Sequence, residues 1–159
     1  MNRKLTAARM FFVATALLTL ATPVFAQSRT CSNATGSGDW AYSYNGSIIL
    51  PTGSVPVASA GRFTALANGT LTGSQTRSNG GDVSTETIAG TFSVKADCTE
   101  SFTVNVYQSG VLVRSATFAV VLSNNGRAAY GIFTSLILSD GTVLPAVITI
   151  EAQKVFNVD

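Results

Sequence analysis

Few residues of this 159-residue chain could do chemistry at neutral pH. Histidine is absent, which removes Ser-His-Asp and Cys-His catalysis and the commonest protein ligand of zinc and iron. Two carboxylate pairs, Asp82 with Glu86 and Asp97 with Glu100, could act as acid and base only if each pair shared a pocket. Both pairs lie beside turn signals, so we interpret them as solvated turn residues. We therefore expect no catalytic residue, metal site or cofactor, although an enzymatic role is left open.

The two cysteines, Cys31 and Cys98, can form one pair. Cys98 lies in the turn "ADCT", between two acidic residues, Asp97 and Glu100, which would raise the pKa of a free thiol and make it less reactive. In an oxidising compartment the pair is expected to form a structural disulfide that encloses about 67 residues. We therefore predict that Cys98 is part of the architecture.

The remaining candidate site is an aromatic row in "GDWAYSYNGS". Strand alternation places Trp40, Tyr42 and Tyr44 on one face. Large aromatic side chains with polar tips can fill the interior of a barrel, or they can line a pocket for a small apolar or ring-shaped ligand. We take these three residues as a hypothetical ligand-binding site, with core packing as the alternative.

The first 26 residues have the pattern of a secretory signal. Arg3, Lys4 and Arg9 precede the apolar run "MFFVATALLTLA", and "VFA" ends at Ala26 as a cleavage site. Cleavage would leave one domain, residues 27–159, with 7 basic and 8 acidic residues out of the 10 and 8 of the whole chain. No basic stripe for nucleic acid remains, and no membrane insertion is expected. We expect a secreted or periplasmic protein.

Turn signals divide residues 27–159 into runs rich in Thr, Val, Ile, Phe and Tyr. Asn-Gly and Asp-Gly pairs favour tight hairpins, and the runs between them alternate in the manner of strands. We predict eight strands, over about residues 39–49, 59–66, 70–78, 82–95, 99–107, 111–122, 127–138 and 143–154. Short turns between neighbours favour an all-β, eight-stranded antiparallel up-and-down barrel, with a two-sheet β-sandwich as the alternative.

Three motifs resemble those of small secreted β-proteins of soil bacteria that have no known activity. They are "CSNAT" at residues 31–35, "GTLTG" at 69–73 and "DCT" at 97–99. The resemblance implies an exported β domain and no particular function.

The first half of the chain also resembles, more weakly, the avidin and streptavidin barrel. "GDWAYSYNGS" is similar to the first strand of that family, and "NGTLTGS" and "ETIAGTF" are similar to its next strands. The resemblance implies that Ser43 and Ser47 are polar ligand contacts. Gln75 stands where the family has a pocket tyrosine, and Trp40 is the only tryptophan, so tight biotin binding is not expected.

Two classes of function follow from these patterns. The first is a non-catalytic module that binds a small-molecule ligand near Trp40, Tyr42 and Tyr44. The second is a structural or adhesive surface protein without a pocket, which self-associates as a homo-oligomer through its outer face or an edge strand. An outer-membrane barrel is a further alternative, because alternation alone does not say which face is inside.

Overall fold

The computed structural model describes residues 30–155, which form a closed barrel of eight antiparallel strands in up-and-down order. Each strand pairs with its neighbours along the chain, and the last strand pairs with the first. The strands are β1 (Gly38–Leu50), β2 (Gly53–Ala65), β3 (Thr70–Asn79), β4 (Asp82–Val94), β5 (Thr99–Gln108), β6 (Val111–Ser123), β7 (Ala128–Leu138) and β8 (Ala146–Lys154). The predicted barrel is confirmed over the sandwich. The predicted signal segment, residues 1–26, lies outside the described residues.

Strand alternation separates an apolar interior from a mostly polar outer face. In β1 the buried residues Trp40, Tyr42 and Tyr44 alternate with the exposed residues Ala41, Ser43 and Asn45. In most of the other strands as well, the residues of one parity point inward. In β7 the inward parity changes at a register shift opposite Thr117 and Phe118, so that Phe133 lines the cavity and Leu136 is buried. The result is one continuous core that draws on all eight strands.

The second strand is longer than the sequence pattern predicted. It begins at Gly53 and not near residue 59, since Leu50 and Gly53 are joined by a two-residue turn. Pro56 lies within this added stretch of β2, and proline lacks the N–H that a strand ladder uses. Pairing between β2 and β3 ends at Val57 and Asn79, so Pro56 lies just beyond that ladder and is tolerated there.

The last strand is shorter than predicted. It begins at Ala146 and not at residue 143, directly after Pro145. The Pro145 carbonyl accepts a hydrogen bond from the Ile49 N–H at 2.8 Å, which joins this segment to β1. Proline lacks the N–H that a strand ladder uses, so the position just before the strand suits Pro145.

At Gly90 the backbone of β4 passes close to the backbone of β5, where the barrel curves. A Cβ atom at this position would lie 2.1 Å from the Thr103 carbonyl oxygen of the neighbouring strand. Glycine in a strand interior allows two backbones to approach in this way. Gly90 therefore lets β4 and β5 bend around the core between Ile88 and Phe92.

One end of the barrel is covered by the segment that precedes β1, and we call it the closed end. The helical turn α1 (Asn33–Gly36) lies there, held by the Cys31–Cys98 disulfide and by a 2.8 Å hydrogen bond from the Val94 N–H to Asn33 Oδ1. Cys98 has a positive φ of 67° at the corner between β4 and β5. The predicted disulfide is confirmed, and it attaches the N-terminal segment to this corner.

Candidate ligand-binding cavity

The barrel interior is incompletely filled. A cavity of about 60 Å³ is lined by residues of the core, seven of which are aromatic. A cavity needs about 10–15 Å³ of such volume to hold one water molecule, so this cavity has room for roughly four to six atoms of that size. The aromatic lining residues are Trp40, Tyr42, Tyr44, Phe63, Phe102, Phe118 and Phe133.

The aromatic row of β1 forms one wall of this cavity. Trp40, Tyr42 and Tyr44 are between 2% and 8% exposed. The Trp40 ring stacks on Phe63 at a centroid distance of 6.1 Å, and Tyr44 meets Phe133 edge-on at 5.2 Å. The structure thus brings together the three aromatic residues singled out in the sequence, and their role as ligand contacts stays a prediction.

The two serines suggested by the avidin resemblance are placed differently from the aromatic row. Ser43 is exposed on the outer face, because it lies between two inward-pointing tyrosines. Ser47 is half-buried near the end of β1. Neither serine lines the cavity. The interior positions of β1 therefore do not include the polar contacts that the resemblance implied.

A group of hydrogen-bonded polar side chains lies in the barrel interior, away from the closed end. We call this group the polar cluster. Its centre is Glu86 of β4, which is 2% exposed. The Arg114 guanidinium donates to both carboxylate oxygens of Glu86, and the Oε1 contact measures 2.7 Å. Gln75 Nε2 donates to Glu86 Oε2 at 2.6 Å. The members of the cluster are Tyr42, Ser59, Gln75, Arg77, Glu86 and Arg114.

The same cluster is linked to the aromatic wall. The Tyr42 hydroxyl donates to Gln75 Oε1 at 2.7 Å, and the Ser59 hydroxyl lies 3.1 Å from the same oxygen. Gln75 thus joins the β1 aromatic row to Glu86. Since an unsatisfied polar group in the interior is strongly destabilising, this chain of hydrogen bonds fixes the side-chain positions of several strands together.

Charge in the polar cluster is dominated by Glu86 and two guanidinium groups. Burial by itself raises the pKa of Glu86, but the hydrogen bonds from Arg114 and Gln75 and the nearby positive charges leave it below its usual value. Arg77 NH1 lies 3.6 Å from Glu86 Oε1. Burial is the main reason that the pKa of Arg77 is lowered, and the charge of Arg114 adds to this effect.

A second buried carboxylate, Glu100 of β5, lines the cavity at the closed end. It is 5% exposed and packs against the last residue of α1, since a Cβ built on Gly36 would lie 2.9 Å from Glu100 Oε1. Within residues 30–155 no hydrogen bond to this carboxylate is formed. Burial raises the pKa of Glu100 to about 7, and the positive charge of Lys154 opposes the increase only in part.

The interpretation of both carboxylate pairs as solvated turn residues was wrong for Glu86 and Glu100. Asp82 and Asp97 are exposed, and Asp97 Oδ1 accepts hydrogen bonds from the Thr99 N–H and hydroxyl at the turn. Glu86 lies two residues from Ile88, and Glu100 lies two residues from Phe102. The period-2 alternation of each strand therefore carried the signal that these carboxylates point inward.

Strand alternation also predicts an inward side chain for Arg114, the cationic partner of Glu86, which was not singled out from the sequence. Arg114 lies two residues from Ala116, on the inward parity of β6. Gln75 shares the parity of Leu71 in β3. Charged side chains are rarely buried unless paired. The pairing of Glu86 with Arg114 is visible only in the folded sheet, where β4 and β6 lie on either side of β5.

Two further observations concern the described residues only. No cluster of three or more cysteine, aspartate or glutamate side chains suited to a metal ion occurs between residues 30 and 155. In the same part of the chain, no helix has the length and apolar character needed to cross a membrane.

No family model and no curated protein matches this chain. Solved structures with a similar fold include a redesigned β-barrel, b11L5F_LGL, with a TM-score of 0.50 and 15% identity over 78% of this chain and 95% of that chain. EF1p2_mFAP2b bound to DFHBI has a TM-score of 0.50 and 13% identity over 80% of this chain and 98% of that chain. At this level of identity the likeness concerns the barrel fold alone.

Proposed function

We propose that this protein is an exported, non-catalytic barrel that binds one small molecule in its interior. The observation that carries the proposal is the cavity itself, which adjoins a buried carboxylate without a hydrogen-bond partner among the described residues. A barrel core that served packing alone would be filled, because interiors normally pack as densely as organic crystals. An apolar pocket with a few convergent polar groups is the usual form of a small-molecule site.

Two other features support export and binding. The signal-like pattern of residues 1–26 and the Cys31–Cys98 disulfide suit an oxidising compartment outside the cytoplasm. A barrel of the same fold, EF1p2_mFAP2b, has a structure bound to the small molecule DFHBI. Eight strands give an interior that can hold packed side chains or one small ligand.

The experiment is a titration of ¹⁵N-labelled protein with 1-butanol, followed by NMR. We expect shifts at amides around the cavity in the wild-type protein. The variant Ala116→Leu, at a buried lining position, should lose these shifts because the larger side chain fills the cavity. The variant Ala119→Leu is the matched control, since Ala119 is exposed on the same strand. Unperturbed spectra in the wild type, or equal shifts in all three proteins, would contradict the proposal.

Self-association is the second candidate function, and an apolar area on the outer face favours it. Val121 of β6 pairs directly with Tyr130 of β7, and Ile132 follows on the same face. All three side chains are more than half exposed. Sedimentation velocity over a range of concentrations distinguishes this candidate, since only a self-associating barrel changes its sedimentation coefficient with concentration.

A further inference from the structure

We propose that Glu100 recognises the ligand, and that the ligand is a small apolar amine whose ammonium group pairs with this carboxylate inside the cavity. The inference rests on the proposed function, because it names the chemical class that the same cavity takes.

The two buried carboxylates differ in their hydrogen-bond partners. Glu86 is bound by Arg114 and Gln75 and faces Arg77, so its hydrogen-bonding capacity is used within the protein. Glu100 is 5% exposed, and no described residue donates a hydrogen bond to its carboxylate. Lys154, whose positive charge acts on Glu100, donates instead to the Thr35 carbonyl at 2.8 Å. Because burying a carboxylate without a partner is unfavourable, a cationic ligand would supply the missing donor.

Aromatic side chains line the same cavity as Glu100. Trp40 lines the same cavity and stacks on Phe63, and Phe63 meets Phe102 at a centroid distance of 6.2 Å. Aromatic faces attract an ammonium group through their negative quadrupole. The Trp40 ring already makes a cation–π contact within the protein, since Lys154 Nζ lies 5.3 Å from the ring centroid. A carboxylate beside aromatic rings is suited to an amine with an apolar body.

Size restricts the ligand further. One water molecule needs about 10–15 Å³ of cavity volume. The cavity of about 60 Å³ therefore has space for roughly five non-hydrogen atoms. A straight-chain amine such as n-butylamine has this size. Its neutral counterpart, 1-butanol, has the same number of non-hydrogen atoms and differs only in the charged head group.

The charge of Glu100 gives the binding a pH dependence. The charged groups around this carboxylate are Lys154, on β8, and Arg127, whose positive charge acts on Lys154. With burial raising the pKa of Glu100 to about 7, the carboxylate is largely ionised at pH 8 and largely protonated at pH 5.5. Amine affinity should therefore fall by about tenfold per pH unit below pH 7, whereas 1-butanol affinity should stay constant.

The test is a fluorescence titration, because Trp40 is the only tryptophan and lines the cavity. At pH 8 we expect n-butylamine to bind at least tenfold more tightly than 1-butanol. Glu100→Gln should remove this preference and keep 1-butanol binding, since glutamine preserves the shape without the charge. Glu151→Gln, at an exposed position on β8, should keep the preference and serves as the matched charge control.

The possible outcomes separate the two proposals. Equal affinity for the amine and the alcohol in the wild-type protein would overturn the assignment of Glu100 and leave the binding barrel intact. A preference that survives in Glu100→Gln would overturn it as well. Failure of both compounds to bind would overturn both proposals. The pH profile of the wild-type protein gives the same decision without any variant, since an amine affinity that does not change between pH 8 and pH 5.5 contradicts the role of Glu100.

Discussion

At the scale of single residues, the interior holds two glutamates in opposite electrostatic situations. Glu86 is surrounded by donors and has a lowered pKa, whereas Glu100 faces apolar walls and has a raised pKa. Burial acts on both groups in the same direction. The difference comes from Arg114 and Gln75, which stabilise only the charged form of Glu86.

The first prediction concerns the pairing of Glu86 with Arg114. Replacing Glu86 with glutamine leaves the Arg114 charge buried without its counter-charge, and breaking a buried pair in this way lowers stability by roughly 3–5 kcal/mol. Urea unfolding followed by circular dichroism measures the loss. Glu151→Gln should change stability by less than about 0.5 kcal/mol, since it alters an exposed residue of the same type. Equal stabilities of the two variants would show that the polar cluster does not hold the barrel together.

At the scale of elements, the closed end depends on a short segment and its attachment. The turn α1 has only four residues and would not be helical alone. It is held by the disulfide and by the Trp40 Nε1–H, which donates to the Gly36 carbonyl at 2.9 Å. Gly36 itself is tightly packed, because a Cβ there would also lie 3.0 Å from Val94.

The second prediction follows from this attachment. The cysteines are separated by 67 positions, so the chain-entropy model gives a stabilisation on the order of 4 kcal/mol for the closed loop. The double variant Cys31→Ser, Cys98→Ser should lose this amount in urea unfolding. Wild-type protein treated with a reductant is the control and should match the variant. A stability loss below about 1 kcal/mol would contradict the view that the disulfide restrains the unfolded chain.

At the scale of the whole molecule, the two buried glutamates contribute in opposite senses to how stability varies with pH. The folded state holds a proton on Glu100 up to about pH 7, while the same group in the unfolded chain releases it near the ordinary value of 4.5. Stabilisation by this group is therefore complete below pH 4.5 and is lost as the pH rises to about 7. The lowered pKa of Glu86 acts in the opposite sense, and its contribution is lost as the pH falls below 4.5.

The third prediction is a stability maximum near pH 4.5–5. Between pH 4.5 and pH 8 the free energy of unfolding should decrease by about 3 kcal/mol, at about 1.36 kcal/mol for each pH unit between the two pKa values. Urea unfolding at a series of pH values measures the curve. Glu100→Gln should remove the decrease and leave stability nearly constant over this range. A wild-type stability that increases from pH 4.5 to pH 8 would show that Glu100 is not protonated in the folded state.

The sequence by itself predicted eight strands in meander order, favoured a barrel over a sandwich, and predicted the disulfide and the shared face of the aromatic row. Turn residues such as the Asn-Gly and Asp-Gly pairs set the strand order, and period-2 alternation in "GDWAYSY" placed Trp40, Tyr42 and Tyr44 on one face. These are local properties, since they depend on neighbours along the chain. The second strand was predicted to start near residue 59, whereas pairing with β1 extends it back to Gly53.

Only the tertiary structure decided which polar residues meet inside. Glu86 and Arg114 are 28 positions apart, and Trp40 reaches the carbonyl of a turn that the disulfide holds in place. Burying a charged side chain is unfavourable unless a partner is present. The sequence does not show that partner, so Glu86 was interpreted as a solvated turn residue. The folded sheet brings Arg114 of β6 to Glu86 of β4 on the inner face, with β5 between them, and among the described residues it leaves the Glu100 carboxylate without a hydrogen-bond donor. The reason is that strand register decides which inward side chains meet.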